Sequence, residues 1–168
     1  MAANIAENGA LLVWPEGVVA IAGPLVDVVK CNGEPRNHNG LAMYAKDPQG
    51  YGAPILLTGD ADYAAVPRAQ SLNLGGLVAS HHGGRMRHPS VPRATTTGLE
   101  RVVYSYGPGN SYNHAFPQTR QNHHNGGWTM SLDTGSNATP RPSHAAIGWE
   151  PLPLGIGCPD CDLQIAQT

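Results

Sequence analysis

Residues 54–84 read PILLTGDADYAAVPRAQSLNLGGLVASHHGG. Two short apolar runs, at residues 54–58 and 76–80, each stop at a polar turn, Gly-Asp after the first and His-His-Gly-Gly after the second. Short apolar runs between turn residues are typical of buried strands. Residues 61–71 between them suit a helix, although Pro67 strains that interpretation. Two strands joined through a helix lie parallel, so we expect both polar turns at one edge of a sheet.

The rest of the chain extends this pattern in both directions. Further strands are expected at residues 11–14, 18–22, 25–29, 41–45, 101–106 and 128–132, and a second helix at residues 115–123. A meander of strands followed by alternating strands and helices predicts an α/β domain over residues 1–133. Residues 134–168 are rich in Ser, Pro, Gly and Asn, which predicts a loosely structured tail.

Composition excludes several classes of protein. The 168 residues suit one domain, and 21 glycines with 15 prolines argue against a helical bundle. The net charge is −2, whereas dedicated nucleic-acid binders are typically basic, so the composition argues against that class. No apolar run approaches the roughly 18 residues of a membrane span. Three cysteines are an odd count, which argues against a disulfide framework and for a cytoplasmic setting, while the role of Cys158 and Cys161 stays open.

The polar turns carry side chains that suit metal chemistry. Asp60 follows a rigid strand, where its carboxylate can bind a cation or cap the next helix. His81 and His82 follow the next strand, and imidazole is the commonest metal ligand. The alternative for the histidines is a flexible surface loop. Together, a carboxylate and two imidazoles at one sheet edge favour a hydrolytic metal site.

Three further groups of polar residues are relevant to function. The loop YSYGPGNSYNH at residues 104–114 follows a strand and suits contact with an anionic substrate. A basic cluster next to the histidine pair could receive phosphates; it consists of Arg85, Arg87 and Arg93. The second histidine pair, His123-His124, follows a polar segment, and we interpret it as part of a solvated loop.

In this order, the stretches ILLTGD, LVASHHGG and VVYSYGPGNSYNHAFP resemble the metallo-β-lactamase superfamily, and most of all its branch with the C-terminal domain of ComEC-type DNA-uptake proteins. The resemblance covers about residues 18–132. The chain departs from the branch at Gly84, Asn113 and Ala115, where the branch has Ser, Gly and Pro. The superfamily's HxHxDH motif does not occur in this sequence. The resemblance therefore implies the C-terminal half of an αββα sandwich, a mixed sheet flanked by helices.

The resemblance also implies roles for individual residues. Asp60 resembles the carboxylate that bridges two metal ions and takes part in catalysis. His82, or alternatively His81, resembles the imidazole ligand of the second metal. His38 lies near the position where many members carry a ligand of the first metal.

Substrate contacts are implied in the same way. His114 would orient or protonate the leaving oxygen and so act in catalysis. Asn110 and Tyr112 would contact the substrate, together with the member of the His81-His82 pair that does not bind metal.

We therefore expect a hydrolase that depends on zinc or manganese, with up to two ions in a complete site. The implied substrate is a phosphodiester or another anionic compound, with nucleic acid among the candidates. Because HxHxDH is missing, the chain is expected to be incomplete and a partner chain to supply the other half. The alternative hypotheses are a non-catalytic half-domain that serves as a binding or interaction module, and a truncated product of a longer reading frame.

Overall fold

The structure, a computed structural model, describes residues 19–135 except residues 51, 99 and 108. The strand expected at residues 11–14, Cys158 and Cys161 lie outside the described residues. So does the expected tail, apart from residues 134 and 135.

A mixed seven-stranded sheet organises the described part of the chain. Its strands are β1 (Ala20–Ala22), β2 (Val26–Lys30), β3 (Leu41–Ala45), β4 (Ile55–Leu57), β6 (Gly76–Val78), β8 (Arg101–Tyr104) and β9 (Met130–Asp133). Their spatial order is β1-β2-β3-β4-β6-β8-β9. The pairs from β1 to β4 are antiparallel, whereas β4, β6, β8 and β9 run parallel. Two short strands, β5 (Asn73–Leu74) and β7 (Arg93–Ala94), form a separate parallel pair.

One α-helix, α1 (Pro117–Asn125), occurs in the described residues. Proline at its first position is favourable because that N–H would lack a helical partner anyway. The chain leaves the helix through Gly126 and Gly127, and Gly127 has a φ of +95° that suits glycine. The prediction of an α/β fold with a mixed sheet is thus confirmed, whereas the sandwich and the further flanking helices stay predictions.

The helix expected at residues 61–71 is wrong. The chain forms only a short 3₁₀ helix, Tyr63–Ala65, followed by turns. Pro67 cannot donate a helical hydrogen bond, and Arg68 has a φ of +68°, which ends any regular helix. Two more 3₁₀ helices lie in the described part of the chain, Arg36–His38 and Ser80–Gly83.

The two faces of the sheet differ in how well they are covered. One face packs into the main core, where Leu56, Leu77 and Val102 are fully buried. The opposite face carries one apolar residue from each strand in continuous register, which we call the apolar row. It consists of Ile21, Val28, Met43, Leu57, Val78, Val103 and Leu132. Val103 is buried, but Ile21 and Met43 at the antiparallel end are 46% and 41% exposed.

Candidate functional site

The parallel strands β4, β6 and β8 deliver the polar loops to one edge of the sheet. Leu57 pairs with Val78, and Val78 pairs with Val103, so the three carboxyl ends are level. This confirms the expected convergence of the loops. A cleft of about 640 Å³ opens there. It is lined by Asp60, His81, His82, Asn110, Tyr112 and His114, together with residues of the loop that follows β8.

Asp60 and His82 form a close pair of potential ligands in the cleft. The Nε2 atom of His82 lies 3.8 Å from the Oδ1 atom of Asp60. On the other side of the ring, the Nδ1 atom lies 2.5 Å from the carbonyl oxygen of Ser105, to which it donates a hydrogen bond. The proton is therefore held on Nδ1, and the lone pair of Nε2 is directed to the side of the ring where Asp60 lies.

The 3₁₀ helix that carries the histidine pair has unusual backbone geometry. His81 and His82 have φ values of +48° and +57°, a region that residues other than glycine adopt uncommonly. Two hydrogen bonds hold this geometry in place. The backbone N–H of His81 donates to the carbonyl of Gly59 over 3.0 Å, and the hydroxyl of Ser80 donates to the carbonyl of Ala61 over 2.8 Å. The histidine pair is thus tied directly to the residues on either side of Asp60.

Three histidine rings gather in the cleft. The ring centroid of His114 lies 5.7 Å from that of His81 and 5.9 Å from that of His82. Burial lowers the pKa of His114, and the neighbouring rings of His81 and His82 lower it further. The buried Nδ1 atom of His114 has no hydrogen-bond partner among the described residues. The environment therefore favours a neutral His114 ring with one nitrogen available.

Asn110 and Tyr112 both contact His114. The side chain of Asn110 accepts a hydrogen bond from the backbone N–H of His114 over 2.8 Å and donates one to its carbonyl over 3.0 Å. The ring of Tyr112 stacks on that of His114 with centroids 5.8 Å apart, and Tyr112 is 80% exposed. Asn110 therefore fixes the backbone of the loop, while Tyr112 leaves an aromatic surface in the cleft for a ligand.

His38 lies elsewhere. It ends the 3₁₀ helix Arg36–His38 and lines a separate hollow of about 240 Å³ together with Asp62, Arg87 and His88. It is not among the residues that line the main cleft. The role of His38 as a ligand stays a prediction that this arrangement does not favour.

The arginine cluster next to the histidine pair also lies outside the cleft lining. The guanidinium of Arg85 stacks over the ring of Phe116, 4.5 Å from its centroid. Arg87 uses its backbone N–H to bind the carboxylate of Asp62 over 3.1 Å, and Arg93 belongs to β7. All three residues are exposed, so phosphate contact by this cluster stays a prediction.

No group of three or more His, Cys, Asp or Glu side chains among the described residues is arranged to hold a metal ion. Asp60 and His82 are two potential ligand residues, and no third His, Cys, Asp or Glu among the described residues is arranged to join them.

Sequence reasoning missed the role of His123. This residue is fully buried in α1, so its interpretation as part of a solvated loop is wrong, whereas His124 is exposed. The hydroxyl of Tyr63 lies 2.7 Å from Nε2 of His123, and the hydroxyl of Tyr104 lies 3.0 Å from Nδ1. Burial lowers the pKa of His123 to about 4. The polar sequence of α1 carries no apolar periodicity that would have indicated the buried position of His123.

None of the helices in the described ranges has the length and apolar character needed to cross a membrane. Comparison of the chain with protein-family models, with curated proteins and with solved structures finds no match.

Proposed function

We propose that the cleft is a divalent-metal site of a hydrolase similar to the metallo-β-lactamase superfamily, acting on a phosphodiester or another anionic ester. The observation that carries this proposal is the pairing of Asp60 with His82, 3.8 Å apart at the carboxyl ends of adjacent parallel strands. The motif order in the sequence supports it. In this proposal the chain corresponds to the C-terminal half of an αββα sandwich.

The donor atoms of the pair suit zinc or manganese. Two ligands of one tetrahedral zinc ion, each about 2.1 Å from it, lie roughly 3.4 Å apart, so a small movement of either side chain is sufficient. Histidines that bind metals commonly donate their second ring N–H to a carbonyl, as His82 does to Ser105. Asp60 is acceptor-only when ionised, and its exposed position leaves both oxygens accessible.

A bound divalent ion supplies Lewis acidity toward an ester oxygen and makes water a stronger nucleophile at neutral pH. The residues of the chain perform the remaining tasks. The ring of His114, which burial favours in its neutral form, can accept a hydrogen bond at one nitrogen and donate one at the other, and so orient the leaving oxygen of a substrate. Tyr112 and Asn110 line the cleft beside it and contact the substrate.

The site is incomplete in this proposal. Two four-coordinate ions that share one carboxylate need roughly six protein ligands or more. The described residues contain no cluster of even three, and the sequence lacks HxHxDH. We therefore expect weak metal binding and slow or absent turnover by these 168 residues alone, with the remaining ligands coming from a partner chain.

A calorimetric titration with Zn²⁺ and with Mn²⁺ tests the proposal, beside an assay with bis(p-nitrophenyl) phosphate. Wild-type protein is compared with Asp60→Asn, which keeps the size of the side chain, and with His124→Ala, which removes an exposed histidine outside the cleft. Asp60→Asn should raise the dissociation constant for the metal about tenfold or more. His124→Ala should leave it unchanged. Equal affinities for all three proteins would refute the metal site, and rapid turnover lost in Asp60→Asn would refute its incompleteness.

The apolar row favours a second candidate, a non-catalytic module that docks on another chain. Exposed apolar side chains that lie side by side on one face of a sheet favour an interaction surface, and Ile21 and Met43 of the row are 46% and 41% exposed. The occupant that fits is a complementary sheet from the partner chain. Without that partner, wild-type protein should associate with itself as its concentration rises.

Light scattering after size-exclusion chromatography tests this second candidate. A variant with Ile21→Ser and Met43→Ser should show a lower apparent mass than wild-type protein at the same concentration. Tyr112→Ser removes an aromatic side chain outside the row that is even more exposed, at 80%, and should have no effect. A wild-type protein that stays monomeric throughout would contradict docking through the row.

A further inference from the structure

We infer that His123 is a positioning residue for the cleft, which ties the histidine-bearing 3₁₀ helix to the end of β8 from inside the core. His123 itself is fully buried and does not line the cleft. It acts through Tyr63 and Tyr104, whose hydroxyl groups bind its two ring nitrogens.

A continuous series of hydrogen bonds links the two loops. The backbone N–H of Ser80 donates to the hydroxyl of Tyr63 over 3.0 Å. That hydroxyl lies 2.7 Å from Nε2 of His123, and Nδ1 lies 3.0 Å from the hydroxyl of Tyr104. Ser80 begins the 3₁₀ helix that contains His82, and Tyr104 immediately precedes Ser105. This series of hydrogen bonds therefore begins at Ser80, near the donor His82, and ends at Tyr104, next to the acceptor Ser105.

A neutral imidazole, which burial of His123 favours, links the two hydroxyls with one donor and one acceptor. With its own proton directed to Nε2, Tyr63 accepts from Ser80, and Nδ1–H of His123 then donates to Tyr104. In the reverse assignment Nε2–H donates to Tyr63 and Tyr104 donates to Nδ1. Either arrangement uses both nitrogens of a neutral imidazole. An apolar ring at this position would leave both tyrosine hydroxyls without these partners in the core, which is unfavourable.

The consequence reaches His82 because its ring orientation depends on a carbonyl from the other loop. If the 3₁₀ helix shifts relative to the end of β8, the hydrogen bond from Nδ1 of His82 to Ser105 lengthens. The ring then loses the preference that keeps its Nε2 lone pair free for a ligand. This orientation stands on the hydrogen bonds alone, whereas any effect on metal binding rests on the proposed function.

Long-range ¹H–¹⁵N NMR spectra of the His82 ring test the inference without a metal. Wild-type protein should show the Nδ1–H tautomer. His123→Phe should lose it, His123→Gln should retain it because the amide offers a donor and an acceptor, and His124→Ala on the same helix should match wild type. A Zn²⁺ titration should show a dissociation constant about tenfold weaker for His123→Phe only. A folded His123→Phe protein with the wild-type tautomer would overturn the inference.

Two milder variants keep the test decisive if His123→Phe does not fold. Tyr63→Phe and Tyr104→Phe each delete one hydroxyl of the chain and preserve the volume of the core. Both should reduce the Nδ1–H tautomer of His82, and an unchanged tautomer in both would again overturn the inference. Absence of Zn²⁺ binding by wild-type protein would refute the proposed function but leave the tautomer result intact, so the two failures are distinguishable.

Discussion

The Nδ1 atom of His82 lies 2.5 Å from the carbonyl oxygen of Ser105, across the boundary between two loops that follow neighbouring parallel strands. This contact distinguishes His82 from the adjacent His81. His82 faces Asp60 with its other ring nitrogen, whereas the ring of His81 packs beside Gly84 and His114. The geometry thus favours His82 over His81 as the ligand, a choice that the sequence alone leaves open.

Replacing each histidine of the pair should therefore have different effects on metal affinity. His82→Ala should raise the dissociation constant for Zn²⁺ about tenfold or more, because a donor atom is lost. His81→Ala should change it by less, because that ring is not paired with Asp60. Calorimetric titration of both variants under identical conditions measures the difference. A larger loss for His81→Ala would reverse the assignment.

Tyr112 should contribute to ligand binding rather than to metal binding. Its exposed ring stacks on His114 at 5.8 Å and offers its other face to an aromatic group of a ligand. Tyr112→Ala should weaken binding of bis(p-nitrophenyl) phosphate by about 1 kcal/mol, as expected for one aromatic pair. Tyr112→Phe keeps the ring and should bind like wild type. Calorimetry with saturating Zn²⁺ measures both, and an equal loss in the two variants would implicate the hydroxyl instead of the ring.

Substitutions of Gly83 and Gly59 by alanine separate the effect of backbone strain from that of close packing. Both have positive φ values, +83° and +57°. A Cβ on Gly83 would lie 2.6 Å from atoms of Ala115 and Tyr104, whereas a Cβ on Gly59 would meet nothing within 4 Å. Gly59→Ala should therefore cost only the conformational strain, about 1 kcal/mol. Gly83→Ala adds a steric clash and should cost about 3 kcal/mol.

Urea denaturation of the two alanine variants measures these costs as changes in the free energy of unfolding. The difference between them isolates the packing of Gly83 against Tyr104 and Ala115. Equal costs would show that this contact is looser than the structure indicates.

The sheet edge could be predicted because its signals are local. Each apolar run that ends in a glycine-containing turn forms a strand, and parallel order follows from the connections, so Asp60 and His82 meet as expected. The absence of a helix at residues 61–71 could be predicted only in part. Pro67 argued against the helix in the sequence, whereas the left-handed conformation of Arg68 is visible only in the structure.

His38 and His123 illustrate a second limit. Their positions depend on tertiary packing, which no short pattern encodes. The polar composition of α1 suggests solvent on all sides, yet His123 satisfies both ring nitrogens with tyrosine hydroxyls from distant segments and is fully buried. His38 follows a turn that leads to a different hollow from the cleft. Buried polar networks of this kind become visible only when their partners are assembled.

The buried ring of His123 makes stability depend on pH in a defined direction. Burial lowers its folded-state pKa from 6.5 to about 4, and the charge of Arg120 acts in the same direction. Below pH 6.5 the unfolded chain therefore binds a proton that the folded chain does not. Stability from this group is fully present above pH 6.5 and falls as the pH drops toward about 4. The loss from pH 7 to pH 5 corresponds to about 2 kcal/mol.

Urea denaturation of wild-type protein and His123→Gln near pH 7 and near pH 5 measures this contribution. Wild type should lose about 2 kcal/mol of unfolding free energy between the two conditions. His123→Gln should lose much less, because glutamine does not titrate and only weaker contributions in the same direction remain, such as that of His114. His124→Gln removes the exposed neighbour and should behave like wild type. If His123→Gln showed the full wild-type loss, the drop would have to come from other groups, and His123 would not be the buried neutral ring that holds Tyr63 and Tyr104 together.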